Sequence, residues 1–278
     1  MRLDLHIHTT ASDGDLDPDQ VVAEAVAGGL DVIAITDHDT TAGVGPALEA
    51  ARDTGLTVVP GTELSSTRDG REIHVLGYGV DRTADALEAH RARARRIRLE
   101  RMEWMVVALE REEGIAVAMD QVLDAAGPNR EMVGRPHLAR VLVAEGHARD
   151  LPDAFDRYIA DHRPSFVPTA LQDPVDAVRT IRAAGGVAVW AHPPLDLLEG
   201  LLPELVEAGL QGLEVHRPEA RNRVVRRLRN AAKREGLVTS GGSDWHNLRR
   251  NRPLGHFWVG RGKVEPLIEL LGLGSSGG

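Results

Sequence analysis

At 278 residues and 42% hydrophobic content, the chain is long enough to bury one large α/β core, or such a core with an inserted subdomain. A formal charge of −9 argues against broad electrostatic binding to long duplex nucleic acid, and zero cysteines exclude disulfides and thiolate-held metals. No run approaches the roughly 18 apolar residues of a membrane span, and no basic segment followed by an apolar one opens the chain. A cytoplasmic protein with no membrane partner is expected, and the sequence points to no protein partner.

Short apolar, β-branched runs at 3–8, 31–36, 57–60, 73–77, 187–191, 212–216, 237–240 and 256–259 alternate with helical patterns, which predicts a mostly parallel sheet or barrel. In the first run, alternation puts His6 and His8 on one face and Leu3, Leu5 and Ile7 on the other. Asp17-Pro18-Asp19-Gln20 marks a helix start, with an N-cap, a proline in the first turn and a glutamine at the third helical position. Residues 81–165 hold no convincing strand and read as a helical insertion covering the active site, in which Leu99, Met102, Val106 and Leu109 form a core stripe. Six arginines between His90 and Met102, facing Glu100 alone, read as a solvated helix face with Arg96 paired to Glu100, and phosphate steering is the alternative. Asp173-Pro174 opens a later helix that ends near Gly185, the barrel resumes over 166–271, and 272–278 is a glycine- and serine-rich flexible tail.

The candidate ligands fall within or just after these strands. His6 and His8 end the first run and Asp13 follows. Thr36 leads to His38, Thr62 to Glu63, and Ala191 to His192; His74 lies inside its run, and Ser243 precedes Asp244 and His246. In a barrel of parallel strands such ends converge on one mouth. Any one of these histidines alone is commonly a hydrogen-bonded core residue. Six histidines, two aspartates and one glutamate together exceed what one four-coordinate ion uses, so two or three ions are the economical reading, with manganese, zinc and iron all open. Asp37 reads as a non-ligand, and His90, His147, His162 and His256 as surface or hydrogen-bonded residues. Trp190 reads as core, while Trp245 is a residue that packs in the core or stacks on a base.

The motifs Asp4-Leu5-His6-Ile7-His8, Ser12-Asp13-Gly14, Thr36-Asp37-His38-Asp39, Gly61-Thr62-Glu63-Leu64-Ser65, Glu72-Ile73-His74-Val75-Leu76-Gly77-Tyr78, Ala191-His192-Pro193 and Ser243-Asp244-Trp245-His246 stand in order along the chain. Together they resemble the PHP (polymerase and histidinol phosphatase) family of metal-dependent phosphoesterases. Within the insertion, Gly134-Arg135-Pro136-His137-Leu138-Ala139-Arg140 and Ala154-Phe155-Asp156-Arg157-Tyr158 narrow the likeness to the branch acting on 3′,5′-bisphosphorylated nucleotides and 5′ ends of short RNA. The resemblance implies a distorted barrel of seven βα units with a helical inserted subdomain, and three divalent ions, manganese first and zinc or iron as alternatives. It implies that His6, His8, Glu63 and Asp244 hold one ion, that Glu63 bridges to a second completed by His74 and His192, and that Asp13, His38 and His246 hold the third.

Metal-lowered water pKa, from 15.7 to about 7, supplies a hydroxide for in-line attack without a side-chain nucleophile. The catalytic set is then the metal centre itself, because Ser12, Ser65 and Ser66 lack a nucleophile-elbow sequence. Arg135, His137 and Arg163 are the expected phosphate contacts, by the resemblance and because a guanidinium binds phosphate through two parallel donors. Arg163 stands where relatives carry lysine, His216 where they carry tyrosine and Pro194 where they carry glycine. The alternatives are a phosphatase of the same family acting on histidinol phosphate or a mononucleotide, and a non-catalytic domain. An amidohydrolase ranks lower, because Lys233 and Lys263 do not follow strands as a metal-bridging lysine would.

Overall fold

The structure, a computed structural model, describes residues 1–127, 133–218, 220–246 and 252–273. Two compact units divide the chain: Met1–His90 with Gln172–Gly278, and Arg91–Leu171. The helical unit thus begins at Arg91, where the sequence suggested 81, and continues to Leu171, where it suggested 165.

The first unit carries β1 (Arg2–Ile7), α1 (Pro18–Ala27), β2 (Val32–Ile35), α2 (Val44–Ala50), β3 (Thr57–Arg68), β4 (Arg71–Tyr78) and the start of α3 (Asp85–Glu113). The helical unit adds α4 (Met119–Ala125), α5 (Arg135–Ala144), α6 (Leu151–Ala154) and a π-helical turn at Phe155–Ile159. The chain then returns through α7 (Pro174–Ala183), β5 (Val187–Trp190), α8 (Leu198–Glu207), β6 (Gly212–His216), α9 (Asn222–Arg234), β7 (Val238–Gly241), β8 (Val259–Gly260) and α10 (Glu265–Leu270). The strands form one nearly closed sheet in the order β7-β6-β5-β4-β3-β2-β1-β8. This is a distorted α/β barrel.

Two departures from simple βα alternation distort it. β3 and β4 pair antiparallel with Arg68 opposite Arg71, so Asp69-Gly70 is a two-residue hairpin loop. Both loop residues have positive φ, 53° and 73°, which is what a type I′ turn requires and what an Asp-Gly pair supplies. At the other side, no ladder joins β7 to β1. Instead the chain after β7 runs beside β1, with His8 N–H donated to Trp245 O at 2.9 Å and Trp245 N–H to His6 O at 3.2 Å, while β8 pairs antiparallel with Arg2 and Leu3.

Buried apolar side chains hold both faces of the sheet. Leu3, Leu5, Val32, Ala34, Val59, Leu76, Val187 and Val189 gather with Leu267 and Ile268 of α10. The opposite face packs Ile33, Ile35 and Val58 against α1 and α2, and Val75, Trp190, Leu213 and Val215 against α7, α8 and α9. Each such aliphatic side chain, fully buried, contributes about 1.5–3 kcal/mol. In the helical unit Met102 and Leu109 are fully buried, with Leu99 and Val106 packed against them, as their spacing predicted. Arg96 stands 3.9 Å from Glu100 and both are well exposed, a pairing worth at most a few tenths of a kcal/mol. Leu273 N–H still bonds Ile268 O, so the C-terminal turn reaches into the expected tail, and 274–278 lie outside the described residues.

Helix starts follow the sequence signals. Gln20 Oε1 accepts the Asp17 N–H at 3.0 Å, and Asp173 Oδ1 accepts the Val175 N–H at 2.9 Å. Asp173 also takes both donors of the Arg68 fork, at 2.6 and 2.8 Å, tying α7 to the end of β3.

Candidate metal centre

β1 carries the first two ligands, and a bulge aims them. Asp4 pairs with Ile33 and Ile7 with Ile35, so three steps along β1 match two along β2. This extra residue breaks strict alternation: Leu3 and Leu5 pack in one apolar cluster and Ile7 in another. The expectation that Leu3, Leu5 and Ile7 share a face therefore fails, and the bulge is the reason. His6 and His8 are fully buried with ring centroids 5.2 Å apart.

The other ligands arrive from strand ends and from the β3–β4 hairpin. His38 follows β2 and pairs across to Glu63 on β3, which is buried at the middle of the group. Glu63 Oε2 lies 3.2 Å from Nε2 of His6 and of His8 and 3.3 Å from His38 Nδ1. Its Oε1 lies 3.2 Å from His74 Nδ1 and 3.1 Å from His192 Nε2. Asp244 Oδ1 sits 3.3 Å from Nε2 of both His6 and His8. Asp13 Oδ1 is 3.4 Å from His246 Nε2 and 3.7 Å from His8 Nδ1. His192 and Asp244 have positive φ, 32° and 54°, as does Asp39 beside His38. Non-glycine residues hold that region only where the surroundings impose it, and such positions cluster at functional sites.

Among the described residues, three sets bring their ligand atoms within 4.8 Å of one another: His6, His8, Glu63 and Asp244; His38, Glu63 and His74; and His8, Asp13, His38 and His246. The first matches the set implied for one ion. In the others His38 also joins Glu63 and His74, and His8 joins Asp13, while His192 meets His74 Nδ1 at 3.2 Å and Glu63.

The residues fit divalent cations on the evidence of their unsatisfied atoms. His6 Nδ1 lies 2.9 Å from Glu214 Oε1; that bond puts the proton on Nδ1 and leaves the Nε2 lone pair aimed at Glu63 and Asp244. Acceptor then faces acceptor. His6 Nε2, both nitrogens of His8 and Glu63 Oε2 are buried without a hydrogen-bond partner, an arrangement that repels unless a cation stands between. Protonation equilibria report the same field. Burial opposes charge on His6 and His8, yet neighbouring carboxylates raise both, His8 to about 10, so where no metal cation stands between these groups a proton takes its place. Burial likewise opposes ionisation of Glu63, and the imidazoles around it hold it well below the carboxylate range. His38 goes the other way, pushed down to about 4 by burial against the pull of Glu63 and Asp13, so it is neutral and ready to donate a lone pair.

Glu214 is the residue that sequence reasoning missed. It is fully buried, holds His6 through Oε1 and accepts the His192 N–H through Oε2 at 2.8 Å. Its signal was present as a carboxylate inside the apolar run Gly212-Leu213-Glu214-Val215. Asp37 takes no place in the ligand sets. Its Oδ1 accepts Thr9 N–H at 2.7 Å and Ser12 Oγ–H at 2.8 Å, and it shapes the loop that carries Asp13. His90 is buried and bonded to Asp39 Oδ1 at 2.7 Å. Trp190 is core. Trp245 is too, 1% exposed with its indole N–H on Arg252 O at 3.1 Å, which removes the base-stacking alternative.

The expected phosphate contacts lie in the helical unit. Arg135 pairs with Asp161, and its guanidinium lies over the rings of Phe155 and Phe166 at 5.6 and 5.1 Å. His137 is buried, and its Nδ1 accepts the Gly134 N–H at 3.0 Å, capping α5. Arg163 Nε donates to Asp156 O.

The family model for the PHP domain matches residues 4–149. A 3′,5′-nucleoside bisphosphate phosphatase of Chromobacterium violaceum is 36% identical over 249 residues, covering 88% of this chain and 87% of that protein. A 5′-3′ exoribonuclease of Haemophilus influenzae is 34% identical over 273 residues, 96% of each chain. A solved structure from Bifidobacterium adolescentis, assigned as a metal-dependent phosphoesterase, superposes with a TM-score of 0.85 at 31% identity, covering 96% of this chain and 95% of that one. No helix among the described residues is long and apolar enough to cross a membrane. With this likeness over nearly its whole length and a buried cluster of imidazoles and carboxylates at the strand ends, the chain belongs to the PHP domain family and is a hydrolase of phosphate esters.

Proposed function

We propose that this chain uses three divalent ions, manganese before zinc or iron, to remove phosphate from nucleotides: 3′,5′-bisphosphorylated nucleotides, the 5′ ends of short RNA, or both. The observation that carries the reading is Glu63, whose two oxygens face five imidazole nitrogens at 3.1–3.3 Å. His6, His8, Glu63 and Asp244 would hold one ion, Glu63 with His74 and His192 a second, and Asp13, His38 and His246 a third. When bound, such ions supply an activated water and neutralise the charge that builds on the phosphoryl oxygens.

The chain's own residues do the remaining work. Glu214 sets the tautomer of His6 and anchors the backbone of His192. Asp37 fixes the loop of Asp13 through Thr9 and Ser12. Of the candidate side-chain nucleophiles, Ser12 donates to Asp37 and Ser66 to Ile73 O, while Ser65 Oγ lies 3.5 Å from His38 Nδ1. Arg135, His137 and Arg163 are proposed as contacts to the substrate phosphate. Support for Arg135 comes from its planar fork, held over two aromatic rings and so ordered in advance.

The test is an activity panel with manganese: adenosine 3′,5′-bisphosphate, AMP, histidinol phosphate and a 5′-phosphorylated short RNA. Turnover led by the bisphosphate or the RNA supports the reading, and turnover led by histidinol phosphate overturns it. Metal analysis accompanies it, and fewer than two ions per chain after supplementation counts against a trinuclear centre. Arg135→Ala is expected mainly to raise KM, and an unchanged kinetic profile removes Arg135 from the substrate site.

A further inference from the structure

A cavity of about 670 Å³ in the first unit has Asp4, Asp244, Arg217, Arg252 and His256 in its lining. Asp244 is also within 3.3 Å of His6 and His8, so this cavity opens beside the ligand cluster. Of its two carboxylates, Asp244 faces the imidazoles, and Asp4 Oδ1 accepts the Ser243 N–H at 2.8 Å while its Oδ2 is buried without a partner. Its cations have no such partners. Among the described residues neither Arg217 nor Arg252 forms an ion pair with a carboxylate. Arg217 Nε is buried without any acceptor, and Arg252 Nη1 donates to His256 Nε2 at 3.1 Å, a base that brings no negative charge.

A buried guanidinium donor left without an acceptor is a rare arrangement that asks for an explanation. The chain carries a charge of −9, so carboxylates are plentiful, yet among the described residues none pairs with either arginine. An arginine fork matches phosphate oxygens through parallel donors. The volume lies in the range of small-ligand sites, roughly 300–1,000 Å³. Arg217 follows directly on β6, whose Glu214 holds His6 and His192, so it issues from the same rigid strand that fixes the metal side.

We infer that Arg217 and Arg252 form a subsite for a second substrate phosphate, one that is held and not cleaved. The inference rests on the proposed nucleotide reading for the phosphate that is cleaved. The held group is either the second phosphate of a bisphosphorylated nucleotide or the first phosphodiester of a 5′-phosphorylated RNA; the chemistry recognised is the same.

The test measures binding on the full chain freed of metal with a chelator, by titration calorimetry with adenosine 3′,5′-bisphosphate, AMP and a 5′-phosphorylated diadenylate. The wild type is expected to prefer the bisphosphate, the diadenylate or both over AMP by about tenfold. Arg217→Ala and Arg252→Ala should each erase that preference, and Arg217→Lys should keep part of it. Arg234→Ala, which alters pairs with Glu199 and Glu235, should keep it whole, and thermal unfolding checks that every variant is folded. Dependence on Arg217 for the bisphosphate alone assigns the nucleotide source, and for the diadenylate alone the RNA source. No preference in the wild type, or a preference that survives both alanine variants, overturns the subsite. Arginine-dependent binding without manganese-supported turnover of any panel substrate leaves the subsite standing and overturns the proposed nucleotide reading, whereas turnover without arginine dependence does the reverse.

Discussion

Replacing Glu214 by glutamine isolates the part of the centre that depends on one buried carboxylate. The side chain accepts two hydrogen bonds, His6 Nδ1–H at 2.9 Å and His192 N–H at 2.8 Å. Glutamine is nearly the same size, but one of its two terminal groups is a donor. If the amide nitrogen faces His192, a backbone N–H is buried against another donor, at about 1–3 kcal/mol. If it faces His6, the imidazole must move its proton to Nε2, where a lone pair is needed beside Glu63 and Asp244. Either orientation weakens the site. Loss of such an orienting partner typically lowers metal affinity or activity by ~10–100-fold, about 1.4–2.7 kcal/mol. Apparent melting of the metal-free variant should fall by roughly 2–4 °C for each kcal/mol lost. Calorimetric titration with manganese, paired with melting of the metal-free protein, reads both quantities. Wild-type manganese affinity in Glu214→Gln would show that the His6 tautomer is set by something else.

Three further outcomes are expected. Glu63→Gln should nearly abolish turnover while circular dichroism stays native, because a neutral amide offers one oxygen and no charge where the proposed role needs a carboxylate shared by two cations; near-normal rates would remove Glu63 from the centre. Chelation should lower the melting temperature of wild-type protein and added manganese should restore it, since an ion at 100 times its Kd adds about 2.7 kcal/mol; a melting point indifferent to both speaks against a cation site. Gly242→Ala would place a Cβ 2.4 Å from His6 Cβ and from His6 N, so it should cost about 1–3 kcal/mol by overpacking and reduce bound metal. A variant with native melting and full metal content would refute this account of barrel closure.

The sequence by itself determined most of the chemistry. The ligand residues sit beside apolar β-branched runs, and although any one of them alone is commonly structural, nine placed together at such positions exceed what core hydrogen bonding asks for, so the pattern could be read before any fold was known. Helix starts at Asp17 and Asp173 and the stripe through Met102 and Leu109 were legible for the same reason: capping and 3.6-residue periodicity are local. The Asp69-Gly70 hairpin was equally local, a two-residue turn signal that the expectation of uniform βα alternation obscured.

What only the tertiary structure decided is non-local. The bulge in β1 depends on its pairing with β2, so sequence alternation alone put Leu3, Leu5 and Ile7 on one face, where the barrel separates them. Closure at β1 is made by the segment before Trp245 and by β8, more than 200 residues away, and it buries Trp245 where the sequence allowed a stacking role. Glu214 looked like any carboxylate in a strand until the fold set its two oxygens on His6 and His192. Hydrogen-bond partners far apart in the chain leave no local trace, because distance along the chain says nothing of direction in space. The residue types recorded that a metal centre exists, and packing decided which lone pairs meet.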